Sequence, residues 1–215
     1  MNAKNIRWTL CCVTFTSALL ATTQLTRADS NDVVYIEEHW ELTVGGPEID
    51  RCAPQVSLVM SPTGDMEGLH FVFLLNHTTF PDFEPGGLQM QCWYGDSLVY
   101  TRNSSKSGIL SYDNETIRWV QKLRIDNGKV EFDVDDGVSQ SWGNFGSGDG
   151  LIMNTGYNMI RLNSYQPSVS INESGITFAG NRVSSLVLTK LVWKTADGTT
   201  SQLVAPIDID TDIDP

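Results

Sequence analysis

The chain has 215 residues, 40% of them hydrophobic, and 14 Lys+Arg against 26 Asp+Glu give a formal charge of −12. Such an acidic balance argues against nucleic acid and against anionic membrane surfaces as partners, because both repel it. The length suits one domain with a sizeable core, and neither an internal repeat nor a domain boundary is visible.

Residues 1–28 read as a secretory signal peptide. Lys4 and Arg7 make a basic start, Trp8 to Leu20 is apolar but too short to span a membrane, and Thr26-Arg27-Ala28 places small residues where a signal peptidase reads. Its removal would take away three cations and no acids, leaving 11 Lys+Arg against 26 Asp+Glu and a charge of −15. The expected location is therefore secreted: periplasm, cell surface or medium. Cys52 and Cys92 would remain, and in an oxidising compartment they are expected to form a disulfide contributing about 4 kcal/mol in the chain-entropy model. Two cysteines without clustered histidines make a poor zinc site, and no metal or cofactor is expected.

Val33 to Val44 alternates as a strand, with Ile36, Trp40, Leu42 and Val44 on one side and Glu37, His39 and Glu41 on the other. Gln55 to Ser61 is a second strand. His70 to Leu75 is apolar on both faces and predicts a covered central strand. The segments 61–69, 80–87 and 102–108 read as loops. Leu88 to Tyr94 alternates again, with Leu88, Met90 and Cys92 opposite Gln89, Gln91 and Trp93, and Gly95-Asp96 turns into a short strand.

Thr116 to Gly146 is the most informative stretch. Asn127-Gly128 predicts a type I′ hairpin, since both residues tolerate positive φ. Folding there sets Ile125 against Val130, Leu123 against Phe132 and Gln121 against Val134 on one face. Arg124 meets Glu131 and Lys122 meets Asp133 on the other. Gly143 to Gly150, with four glycines, reads as an irregular loop and a candidate binding-site rim. Leu151–Met153, Asn158–Leu162 and Ile176–Ala179 are short strand candidates. Val183 to Lys194 is a long one, with Val187, Leu191 and Trp193 facing one way, and a last strand lies near Leu203. No segment has sustained helical periodicity. The expected fold is all-β, a single antiparallel β-sandwich or jelly roll over residues 29–205, followed by an acidic tail, 206–215, that reads as frayed or as a weak calcium ligand.

Three constellations could carry function. Glu131, Asp133 and Asp135 lie two apart on one strand face and resemble the E-x-D-x-x-E or E-x-D-x-E signature of laminarinase-type glycoside hydrolases. That resemblance implies Glu131 as nucleophile, Asp133 as its partner and Asp135 or Asp136 as acid/base. The last position is Asp rather than Glu, and residues four apart on a straight strand sit about 13 Å apart where retaining carboxylates need about 5 Å. Gln89, Gln91 and Trp93 form a carbohydrate-binding pattern: an aromatic ring stacks on a sugar while amides bond its hydroxyls. Trp142, beside the glycine-rich loop, could serve the same way. His39 between Glu37 and Glu41 reads as part of a solvated face, and nothing marks a nucleophile elbow.

The motifs TIRWVQKLRI, FDVDDGVSQSWGNFG, NSYQPSVSI and AGNRVSSLVL, in this order, resemble a family of exported proteins from planctomycete bacteria. The resemblance implies export and supplies no mechanism. Concanavalin-like sandwiches are an analogy of fold, which does not give function. The resulting expectation is a non-enzymatic interaction module facing a polysaccharide or a cell-envelope component. A polysaccharide-active hydrolase and a structural envelope protein are the alternatives.

Overall fold

A computed structural model describes residues 28–45, 54–76, 78–79, 84–110, 112–178 and 182–209. In chain order the first strands are β1 (Val33–Val44), β2 (Gln55–Met60), β3 (Leu69–Leu75), β4 (Thr78–Thr79), β5 (Glu84–Pro85), β6 (Leu88–Tyr94) and β7 (Ser97–Asn103). The central group is β8 (Thr116–Asp126), β9 (Lys129–Ser139), β10 (Gly143–Phe145) and β11 (Ile152–Asn158). A short helix, α1 (Pro167–Glu173), then precedes β12 (Gly175–Phe178), β13 (Val183–Thr195), β14 (Thr200–Leu203) and β15 (Ile207–Asp208).

All of these strands but β4 and β5, which pair only with each other, form an all-β sandwich of two antiparallel sheets. The larger sheet runs β10-β9-β8-β1-β13-β14, with β11 also on β9 and β15 also on β13; the smaller runs β12-β2-β3-β6-β7. Aromatic side chains join the layers. Phe71 of β3 stacks on Phe132 of β9 at 4.9 Å, and Phe73 meets the edge of Trp119 at 6.1 Å. Truncating one such buried ring costs about 3–5 kcal/mol, so these contacts outweigh any surface ion pair. Among the described residues no helix is long and apolar enough to cross a membrane.

The β8–β9 hairpin has the expected register, with Lys122 opposite Asp133, Arg124 opposite Glu131 and Leu123 opposite Phe132. Asn127 and Gly128 have φ of 49° and 74°, the pair of positive values that a type I′ turn requires. β1 is central to its sheet, and its inward side holds Ile36, Trp40, Leu42 and Val44 with one carboxylate, Glu38. Glu38 accepts from Trp40 Nε1 at 2.9 Å and from the Tyr165 hydroxyl at 2.6 Å, and burial raises its pKa.

Several expectations are corrected. Between His39/Lys190 and Trp40/Leu188 the β1–β13 register slips by one residue, so Val187 does not share the inward side of Leu191 and Trp193; Leu186 and Leu188 occupy the core instead. The glycine-rich stretch is partly regular: Gly143–Phe145 pairs with Gly137–Ser139, and Ser147–Asp149 forms a 3-10 turn. Phe145 covers Gly137 so closely that a Cβ there would lie 2.2 Å from the ring. The segment 158–162 is not a strand, because β11 ends at Asn158. α1 has Pro at its first turn and is too short for periodicity to announce it. The start of the tail is not frayed either: Ile207 and Asp208 pair with β13, and Ile209 is buried. The rest of the tail, 210–215, lies outside the described residues, as do residues 1–27 of the expected signal peptide. Cys92 is buried in the core face of β6, while Cys52 lies outside the described residues.

Candidate functional site

The pairing of β3 with β6 builds the first candidate. Its register sets His70 beside Trp93, Val72 beside Gln91 and Leu74 beside Gln89, all on the outer face of the smaller sheet. Alternation explains why: Phe71, Phe73, Met90 and Cys92 take the inner face and leave these six outside. His70, Gln91 and Trp93 line a cleft of about 350 Å³ with Met66, Gly95 and Asp96 among its other walls. The rings of His70 and Trp93 are parallel within 5°, with centroids 6.4 Å apart.

Hydrogen bonds fix this surface. Trp93 Nε1 donates to Gln91 Oε1 at 2.9 Å, Gln91 Nε2 to Gln89 Oε1 at 2.7 Å, and Gln89 Nε2 to Asn103 Oδ1 at 2.7 Å. The amides form a relay that holds the indole at its end. The opposite wall is pinned by one carbonyl. Gly68 O accepts from the backbone of Gly95, in the turn after β6, at 3.2 Å, and lies 3.2 Å from His70 Nδ1. Gly95 has φ of 51°, which lets the β6–β7 turn bring Asp96 to the cleft. Burial lowers the His70 pKa, which favours the neutral ring.

The outer face of the larger sheet is charged instead. Glu131, Asp133 and Asp135 do share one face of β9, as expected. Glu131 and Asp133 are only 3% and 2% exposed. Glu131 is bound by Arg124, whose Nε also lies 3.7 Å from Asp133. Lys122, although opposite Asp133, reaches Asp135 at 3.0 Å, and Asp135 accepts from the Ser147 N–H at 2.9 Å. Burial, then the neighbouring Asp135, pushes the Asp133 carboxyl up to about 6. Burial alone would raise Asp135 as well, but the Ser147 N–H and the Lys122 ammonium hold it below the usual carboxylate range. Asp133 Oδ1 is buried without a partner.

Asp136 belongs elsewhere. A bulge between the Arg118/Val138 and Val120/Asp135 pairs gives it a φ of 53° and sets it in a second cleft, of about 450 Å³, with His39, Glu41, Arg118 and Thr189. His39 contacts Glu37 at 3.3 Å, and Glu37 accepts from the Tyr35 hydroxyl at 2.5 Å. Burial and Lys190 lower the His39 pKa. Among the described residues no three His, Cys, Asp or Glu side chains group so as to hold a metal ion.

Of the four residues expected to bind carbohydrate, the structure brings Gln89, Gln91 and Trp93 together and separates Trp142. Trp142 is 6% exposed, packs edge-on against Phe145 and donates its indole N–H to Gly108 O at 2.5 Å, so neither ring face is open to a ligand. Its loop is organised by Glu115, wholly buried, which accepts from Ser139 Oγ, Gln140 N and both Ser141 donors. Sequence reasoning missed His70 and Asp96. His70 opens an apolar run, and only the strand pairing sets it beside Trp93.

No protein-family model and no curated protein matches the chain. Among solved structures, the crystal structure of Scytalido-glutamic peptidase with a peptide-based transition state analog is similar over 83% of this chain and 83% of that one, at 8% identity and a TM-score of 0.35. A similarity of that size bears on neither activity nor ligand.

Proposed function

We propose that the protein is an exported, non-catalytic β-sandwich that binds a polysaccharide or another glycan of the cell envelope through the Trp93 cleft. The observation that carries the reading is the parallel Trp93–His70 ring pair in a cleft of about 350 Å³, held by the relay of Gln91, Gln89 and Asn103. A flat aromatic surface suits the apolar face of a pyranose, and preorganised amides reduce the ordering cost of binding it. Export from the leader of residues 1–28 and a Cys52–Cys92 bridge belong to the same proposal; N-terminal sequencing and a thiol count on the secreted protein test them.

Hydrolysis at Glu131 and Asp133 is the weaker reading. Both are closed to solvent, and the cations beside them are already engaged. A structural envelope role leaves the cleft without a use. Polysaccharide pull-down and a glycan array, with wild type beside Trp93→Ala and Glu131→Gln, separate the three. Retention abolished by Trp93→Ala supports binding. Release of reducing sugar that is lost in Glu131→Gln establishes the enzyme instead. Neither retention nor release sinks both.

A further inference from the structure

We infer that the Trp93 cleft selects glycans that carry free ammonium groups, with Asp96 and His70 Nε2 accepting from the amine while Trp93 stacks on the sugar ring. The inference rests on the glycan-binding reading and adds the ligand's charge to it.

The first support is the cleft's hydrogen-bonding sense. A carbonyl can only accept, so the contact with Gly68 O places the proton of the neutral His70 ring on Nδ1. Nε2 is then an acceptor, with no hydrogen-bond partner among the described residues, on a side chain only 4% exposed that lines the cleft. The ring donor and one amide hydrogen are already used: the Trp93 N–H goes to Gln91, and one of the two Gln91 amide hydrogens goes to Gln89. The second Gln91 hydrogen and the Ser57 hydroxyl are the donors left at the cleft. His70 Nε2 and the Asp96 carboxylate thus present lone pairs to a ligand that brings protons.

The second support is charge. Among the described residues, Asp96 is the one charged side chain that lines the cleft, and neither Lys nor Arg lines it. Asp65, Glu173 and Asp96 are the charges that act on His70, and all three are acidic. A uronate or sulfated sugar would meet repulsion there. An ammonium gains a charge-assisted hydrogen bond to Asp96 and the attraction of a cation for the Trp93 face.

The test measures binding of the purified full chain to three oligosaccharides of equal length by calorimetry: β-1,4-linked glucosamine, its N-acetylated form, and a uronate oligomer. A lysine oligopeptide of matched charge is the fourth ligand. Glucosamine is expected to bind about tenfold or more tightly than the acetylated form, with no measurable uronate binding. Asp96→Asn, on an exposed turn, should erase that preference while leaving the acetylated ligand unchanged, and Trp93→Ala should abolish both. Equal affinity for the two forms, tighter uronate binding, or an amine preference that survives in Asp96→Asn overturns the inference. If the acetylated oligomer still binds in a Trp93-dependent way, glycan binding itself stands. Tighter binding of the lysine peptide than of glucosamine overturns the inference in favour of a protein partner. No oligosaccharide binding at all removes the glycan reading with it.

Discussion

The two outer faces of the sandwich use the same alternation to opposite ends. On the larger sheet, Glu131, Asp133 and Asp135 face Arg124 and Lys122 across one hairpin, and the charges largely satisfy one another. On the smaller sheet, the outward positions carry an indole, an imidazole and a row of amides that hold each other in place. Acceptors remain open to the cleft. A face that completes its own interactions contributes to stability and has little left for a ligand. A face that is rigid but incomplete is the better candidate for binding.

The largest effect expected from this contrast is on the charged face. Arg124→Ala leaves the Glu131 carboxylate buried and unpaired, which should cost about 3 kcal/mol of folding stability. The partial exposure of Arg124 lets some water in and keeps the loss at the lower end of that class. Urea denaturation reads it as a lower midpoint. An unchanged midpoint would mean that this face does not stabilise the fold, and the contrast would collapse.

Asp133 sharpens the same point through pH. Its folded pKa, about 6, lies above the ordinary 3.8, so the folded state holds this proton more tightly than the unfolded chain does. Its contribution therefore favours folding below the unfolded value and is lost as pH rises through about 6. The loss approaches about 2–3 kcal/mol. Asp135 works in the opposite sense: its lowered pKa gives stability that is present above the unfolded value and lost at lower pH. Between pH 4 and 6 the Asp133 slope is therefore negative. Asp133→Asn should flatten it and should be more stable than wild type at pH 7. A wild-type urea midpoint that rises from pH 5 to pH 7 would contradict this.

Trp93→Ala tests the other face. The ring is partly exposed, so the substitution should move stability by less than the about 3–5 kcal/mol expected for the buried Trp142→Ala, while ligand retention falls by about tenfold or more. The reverse pattern, intact retention in Trp93→Ala, would place recognition somewhere else.

How much of this was legible in the sequence follows from which forces are local. The β8–β9 register was readable because Asn127-Gly128 sets the turn and every later pair follows by counting. The division of β6 into core and outer faces was readable from period-two alternation. The β13 faces were not, because a single-residue slip beside His39 leaves no mark in composition and reverses every assignment beyond it. Trp142 and Trp93 look alike in sequence, each beside polar and glycine-rich neighbours. Only the packing of Phe145 against one, and a cleft against the other, tells them apart. His70 and Asp96 were hidden because they reach Trp93 through strand pairing and a turn, both contacts made by the fold rather than by spacing.

The smallest effect should come from the Arg118–Glu41 pair, at the edge of the charged face. Its geometry is close, 2.6 Å, yet the Arg118 side chain is 63% exposed. Exposed pairs gain little over their hydrated partners, so Arg118→Ala should change stability by about 0.5 kcal/mol or less, and less still in high salt. The same substitution opens the cleft that holds His39 and Asp136. If this cleft is only a solvated groove, Arg118→Ala should leave polysaccharide retention at the wild-type level. A loss of retention with stability intact would move the binding surface to the charged face and reverse the roles assigned to the two sheets.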